Sequence, residues 1–304
     1  MARWETKWAV RQIFGGTRVG VWGYWWATAG LLRTQRAMPA KWCQWFREHV
    51  LLARRHTDLA LHGANVWVID PGFTVTPALL CRLLSDGEIL LTDRWPRLRS
   101  AYQPAALATV RERFAGLAHS MKREEDRLRV LDGLPERDQG GLLVRIGARY
   151  VAPAASERIP AEDGSVDFCL SMGALEHFPP EELRALVAEM ARVIRPGGVT
   201  SHIVDHRDHL FHGDPTKDCF YHLRFTDEFW RRVEGNPLLH LNRFLRSDYL
   251  ALLEQAGFEV RYAGHGLHEG ETTGVVRERL WGRYREASEE DLRAAVSHFL
   301  AVRR

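Results

Sequence analysis

The sequence predicts an α/β fold, a doubly wound and mostly parallel sheet preceded by a helical, Trp-rich cap. Three observations predict it. From Asn65 onward, short apolar runs of strand length alternate with segments of helical periodicity. Polar residues stand where those strands give out, the edge at which open α/β sheets bind ligands. Residues 1–60 instead place Trp4, Trp8, Trp22, Trp25, Trp26, Trp42 and Trp45 among basic residues in helix-compatible sequence.

Asn65 to Asp70 (NVWVID) reads as the first strand, Pro71-Gly72 as its turn and Thr76 to Ser85 as the first helix of the sheet domain. Glu88 to Thr92 is the second strand, closed by Asp93. Helical segments follow at Pro104 to Gly116 and Met121 to Leu131, and Tyr150 to Pro153 is a weak third strand. Asp163-Gly164-Ser165 turns the chain into a fourth strand, Val166 to Ser171, with Glu176 and His177 just past its end. Pro179 and Pro180 open a helix whose Leu183, Leu186, Val187, Met190, Val193 and Ile194 recur at helical spacing. Glu181 and Glu182 in its first turn and Arg192 and Arg195 in its last complement the helix dipole. Pro196-Gly197-Gly198 stops it, and Val199 to Asp205 begins the fifth strand. Asp248 to Ala256 is an amphipathic helix with Ser247 as cap and Gly257 at its end. Phe258 to Tyr262, a short helix from Glu289 to Arg293 and a last strand from Ala295 to Val302 complete the pattern.

The segment from Ile159 to Gly198 resembles the fourth strand, helix and fifth strand of class I S-adenosylmethionine-dependent methyltransferases. Ile159-Pro160, Asp167, Leu175-Glu176-His177 and the run from Arg192 to Gly198 carry the likeness, with one extra residue between the two arginines. Asn242 to Val260 is similar to the helix-strand ending of many small-molecule members. The resemblance implies a Rossmann-like, seven-stranded, mostly parallel sheet, with S-adenosyl-L-methionine as cosubstrate and a small-molecule acceptor of an O- or N-methylation. The sheet domain is expected over residues 61–304, with 206–245 as an acceptor-pocket insertion and 1–60 as a cap or lid.

Under that resemblance the cosubstrate contacts fall on Asp70, Pro71, Gly72, Asp93, Ser156 and Met172, with Asp93 placed to meet the ribose hydroxyls. The chain also departs from the family. Aligned on Gly72, the usual acid before the first glycine becomes Val68, and the acid near adenine becomes Ala155. Residues 68 and 70 share a strand face, so Asp70 either reaches the cosubstrate's ammonium from one step further along or orders the turn. Ser156 or Glu157 takes the place of the missing acid near adenine.

Methyl transfer needs alignment and exclusion of water more than a reactive side chain, because the sulfonium is already activated. A base is required only for a hydroxyl or protonated amine, and His177, His206 and His209 are the candidates. The surrounding stretch holds His202, His206, His209 and His212 beside Asp205, Asp208 and Asp214, with His222 beyond. His202 and His206 cannot share a helical face on a strand, so no metal is expected and the stretch is read as bordering the acceptor. Two other readings stay open: a non-methyl use of the cosubstrate, such as aminocarboxypropyl transfer or cyclisation, and a non-catalytic partner subunit.

Composition narrows the setting. A net charge of +3 with 27% charged residues is too balanced to signal a nucleic-acid binder. Four scattered cysteines without a CxxC read as reduced packing residues. Val19 to Leu32 is apolar with basic flanks and contains Ala27-Thr28-Ala29, as a secretory leader would. Its long charged lead and its richness in Trp and Gly speak against secretion, and it is too short to span a bilayer. A cytoplasmic protein without stable membrane insertion is expected. The tryptophan surface suits packing on the sheet edge or against a second copy in a homodimer, a lid over the acceptor pocket, or a membrane-surface helix.

Overall fold

The computed structural model describes residues 3–25, 27–28, 37–117, 128–211, 214, 216–234, 236, 238, 240–266 and 274–304. Helices α1 (Trp4–Gly15), α2 (Arg18–Trp25) and α3 (Met38–His56) precede the first strand, β1 (Val66–Ile69). Then come α4 (Thr76–Leu84), β2 (Ile89–Thr92), α5 (Gln103–Leu117), α6 (Gln139–Arg145) and β3 (Ala148–Val151). The second half runs β4 (Val166–Met172), α7 (Pro180–Val193), β5 (Ile194–Asp205), α8 (Asp227–Glu234), α9 (Arg246–Gln255), β6 (Phe258–Gly266), α10 (Glu289–Arg293) and β7 (Val296–Arg303). The strands form one seven-stranded sheet in the order β3-β2-β1-β4-β5-β7-β6, with β7 antiparallel to both its neighbours and the other pairings parallel. This is the Rossmann-like doubly wound order that the resemblance implies.

β1 and β2 are buried on every residue because both faces of the sheet are covered. Alternation splits them between two cores. Val66 and Val68 pack with Leu91, Phe168 and Leu170 under α3, α4 and α5. Trp67 and Ile69 pack with Cys169, Phe299 and the apolar face of α7 on the other side. The four cysteines are buried thiols, and no described helix is long and apolar enough to cross a membrane.

Several boundaries differ from expectation. The third strand is Ala148–Val151, so it starts earlier than Tyr150; a half-buried edge strand has too little alternation to fix its register from sequence. Helix α6 was not expected, its two glycines masking a turn capped by Asp138, which accepts from the Gly141 N–H at 2.9 Å. Most of the expected helix from Met121 to Leu131 lies outside the described residues, and its end, Arg129–Leu131, is a 3-10 turn. Pro196-Gly197-Gly198 is not a break between helix and strand. The strand already begins at Ile194, which pairs with Val166, and the run bulges out before Val199 pairs with Phe168. Ser247 does not cap α9: its N–H and hydroxyl both bind Asp291 at 2.9 Å, and the Asp248 carboxylate instead accepts the Leu245 N–H at 2.7 Å.

The N-terminal tryptophans divide among several tasks. Trp4 is buried against Trp230, Tyr221 and Phe225, and its indole N–H donates to Asp208 at 2.7 Å, tying α1 to the segment after β5. Trp25 packs on Phe73 at a ring separation of 5.4 Å, beside the turn that follows β1. Trp22 is exposed. Trp42, 1% exposed, belongs to the sheet core together with Phe46 and Val50. Helix α3 is therefore a layer of the sheet. Trp42→Ala should destabilise the protein by about 3–5 kcal/mol in chemical unfolding; a loss below about 1 kcal/mol would show that α3 is only draped over the sheet.

Candidate active site

A cleft of about 400 Å³ opens beyond the ends of β1, β2 and β4, lined among others by Trp25, Arg94, Trp95, Arg97, His177 and His209. Asp70 leaves β1 with φ 50°, the left-handed region that an aspartate tolerates better than a branched residue. Gly72 follows at φ 74°, and a Cβ placed there would meet nothing within 4 Å, so the turn leaves open space above it.

Asp93 ends β2 and is 1% exposed. Arg97 grips it with two nitrogens, Nε at 3.0 Å and NH2 at 2.7 Å from Oδ1, while the same NH2 lies 2.8 Å from Asp70 Oδ2. Asp93 also accepts the Trp95 N–H at 3.1 Å and faces the Tyr150 hydroxyl at 3.4 Å, and Asp70 accepts the Arg94 N–H at 3.2 Å. One guanidinium thus joins the acids at the ends of two strands. Burial opposes every charge in the cluster, but Asp93 and Asp70 hold Arg97 charged, above the ordinary arginine range. Burial, with Asp70 beside it, pushes the Asp93 carboxyl up against the pull of Arg97.

At the end of β4 the chain makes a 3-10 turn, Leu175–His177. It buries the Glu176 side chain inward, where Oε1 accepts the Asp205 N–H at 3.3 Å, and points His177 to the cleft. His177 Nδ1 donates to the His240 carbonyl at 3.0 Å, so its lone pair falls on Nε2. Its ring meets that of His209 edge to face at 4.8 Å. Burial, and then His209, hold His177 well below the ordinary histidine range, so it is neutral. Burial also raises Glu176 well above the carboxylate range, with Asp205 adding like charge. Asp205, by contrast, is kept ionised by hydrogen bonds from Arg207 that outweigh its burial.

The expected residues therefore part company. Asp70, Pro71, Gly72 and Asp93 gather at the ends of β1 and β2, and His177 and His209 line the cleft from β4 and the segment after β5. Asp70, with its left-handed backbone, accepts the Arg94 N–H and pairs with Arg97. Ser156 and Met172 are buried and, like Asp70, Pro71, Gly72 and Asp93, stand outside the lining of the cleft, which Arg94, Trp95 and Arg97 form on that side. His206 is a correction to the expected set of bases. It is buried, with Nε2 on Ser297 Oγ at 2.9 Å, Nδ1 on the Phe244 carbonyl at 3.2 Å and its ring against Tyr249. His202 is likewise occupied by Ser171 and Thr200, and His212 lies outside the described residues. Sequence reasoning missed Arg94 and Arg97, although two arginines within four residues of a strand-end acid were a readable signal.

Residues 137–201 match a family described as a methyltransferase domain. Over 65 residues the chain is 43% identical to an uncharacterized methyltransferase of Mycobacterium sp. (strain KMS), covering 21% of this chain and 25% of that protein. Over 124 residues it is 29% identical to an uncharacterized methyltransferase of Synechocystis sp., covering 40% of this chain and 52% of that one. The chain thus spans between a quarter and about half the length of these curated relatives. A SAM-dependent methyltransferase of Methanosarcina mazei aligns over 83% of this chain and 96% of its own at 15% identity and a TM-score of 0.44. The strand order is that of a Rossmann-like methyltransferase fold, and the segment carrying the Glu-His strand end lies within the matched methyltransferase domain.

The burial of His206 has a pH signature. Burial lowers it from the ordinary value to about 4. Its contribution to stability is fully present above about pH 6.5 and is lost as pH falls toward the folded value, reaching about 2 kcal/mol at pH 5. The stability gap between the wild type and His206→Gln should narrow by that amount from pH 7 to pH 5 in denaturant titrations. Parallel pH profiles would mean that His206 titrates as a solvated histidine.

Proposed function

We propose that the chain transfers the methyl group of S-adenosyl-L-methionine to a small-molecule acceptor through a hydroxyl or amine. The observation that carries this reading is the pairing of acids at the ends of β1 and β2 around an open glycine turn, in a domain matched to methyltransferases. A nucleoside with a ribose diol needs an acceptor at the end of the second strand, and Asp93 is that acceptor. It needs backbone room at the first turn, which Gly72 leaves. Trp25, Trp95 and Tyr24 offer ring faces in the same cleft. These residues fit the S-adenosyl group, with one condition: the diol replaces Arg97 as a donor to Asp93. Arg97 then keeps Asp70 as its partner, so its charge stays compensated.

When bound, the cosubstrate supplies an activated methyl carbon whose bond to sulfur breaks as the acceptor attacks. The chain's part is to hold the two in line and exclude water. Trp25 and Tyr24 from α2 cover the cleft, and Leu238 and His240 from the segment after β5 close its far side. Residues 1–60 thereby act as cap and lid, and 206–245 as the acceptor-pocket insertion. His177 and His209 face the acceptor's side and are the groups placed to meet its departing proton.

Titration calorimetry with S-adenosylhomocysteine should show saturable binding to the wild type. Asp93→Ala should bind more weakly by about 1.5–3 kcal/mol, the cost of losing hydrogen bonds to a charged group. A folded protein that binds neither S-adenosylmethionine nor S-adenosylhomocysteine would favour a non-catalytic member of the family instead, and unchanged affinity in Asp93→Ala would remove the nucleoside from this site.

A further inference from the structure

Glu176, His177 and His209 offer one ligand atom each, and these atoms lie within 4.8 Å of one another. Three observations set this cluster apart from ordinary polar packing. Glu176 is 2% exposed, yet its Oε2 has no hydrogen-bond partner among the described residues. A buried carboxylate oxygen left unpaired is costly unless something absent from the coordinates completes it. His177 has its Nδ1 anchored by the His240 carbonyl at 3.0 Å, the arrangement that fixes ring and tautomer in metal-bound histidines and leaves Nε2 to coordinate. His209 sits across from it with Nε2 3.8 Å from the ionised Asp205, so carboxylates gather behind the cluster. Asp205 is paired with Arg207 and Asp70 with Arg97, whereas Glu176 Oε2 has no partner among the described residues.

We propose that Glu176, His177 and His209 form a site for a divalent first-row transition ion at the base of the cleft. Two imidazoles and one carboxylate suit Zn²⁺, Fe²⁺ or Co²⁺ and not Mg²⁺, which takes oxygen ligands and retains its waters. An ion at ~2.1 Å from each ligand atom brings them to roughly 3.4 Å apart, an inward movement of about 1 Å that side-chain torsions can supply. Because His177 and His209 both line the cleft, the ion keeps open positions toward it, the mark of a site that meets a substrate. This deepens the proposed function and rests on it for the acceptor's placement. An acceptor hydroxyl bound to the ion has its pKa lowered and releases its proton to water; with the ion bound, His177 and His209 serve as its ligands and the water takes the proton they would otherwise meet. The expectation that the histidine stretch binds no metal considered His202 and His206, which the fold buries elsewhere. The carboxylate that completes the cluster comes from the end of β4.

The test uses tag-free full-length protein, dialysed against a chelator and titrated with Co²⁺, whose ligand-field absorption reports nitrogen and oxygen coordination. The wild type should bind one equivalent, displaceable by Zn²⁺. His177→Ala and His209→Ala should each weaken binding by more than the roughly 10–100-fold that loss of a supporting hydrogen bond costs. Glu176→Gln should do likewise, and His62→Ala, on the surface, should not change it. Folded wild type without bands, or equal binding by the His177→Ala, His209→Ala double variant, would overturn the site. Should the variants unfold, Co²⁺ must still shift the His177 and His209 ring resonances of the wild type, and shifts confined to other histidines would refute it. S-adenosylhomocysteine binding without Co²⁺ binding defeats the metal site alone, whereas Co²⁺ binding without S-adenosylhomocysteine binding defeats the proposed function alone.

Discussion

The cleft depends on one guanidinium. Arg97 lies between Asp70 and Asp93, within hydrogen-bond distance of both, and so joins the ends of β1 and β2. It places a cation between two buried carboxylates that would otherwise face each other without one. Removing one partner from such a buried pair typically costs about 3–5 kcal/mol, because the remaining charge is left uncompensated. The left-handed turn at Asp70, the open space over Gly72 and the loop carrying Arg94 and Trp95 are all arranged around that contact. It also sets the terms on which a ligand enters, since a donor that reaches Asp93 must take over from Arg97.

The electrostatics of the cleft follow from its two halves. On the side of β1 and β2, charges are buried in compensated groups: Arg97 with two acids, and Arg94 stacked at 4.2 Å over the Phe178 ring with Asp70 and Glu182 at the edge of contact. At the end of β4 two groups are held in their neutral forms, His177 by burial and Glu176 by burial together with the nearby acids. Paired charges at the ends of β1 and β2 thus adjoin neutral nitrogen and oxygen groups at the end of β4.

Much of the fold was legible because burial imposes a period. Strands covered on both faces read as unbroken apolar runs, and α7 carries its stripe from Leu183 to Val193 at helical spacing. Its end was harder, because Pro196-Gly197-Gly198 serves as well in a bulge as in a stop. The sheet's edge strand β3 and the glycine-bearing α6 gave little period to read. Positions at the strand ends were legible: Gly72, Asp93, Glu176 and His177 all follow β1, β2 or β4 as the sequence pattern indicates. The histidine-rich stretch was not, since adjacent histidines differ only in which way a turn sends them. His206 goes into the core to Ser297, while His209 returns to the cleft. Arg97 escaped notice because its role is set by two acids far apart in sequence, which only the pairing of β1 with β2 brings together.

We propose the acids at the ends of β1 and β2 as the seat of the nucleoside. A crystal structure of the chain with S-adenosylhomocysteine tests it most directly. The ribose hydroxyls should lie on Asp93, with the sugar over the Gly72 turn and Arg97 released from Asp93 while still paired with Asp70. A nucleoside bound elsewhere, with the Asp70–Arg97–Asp93 bridge intact, would contradict it.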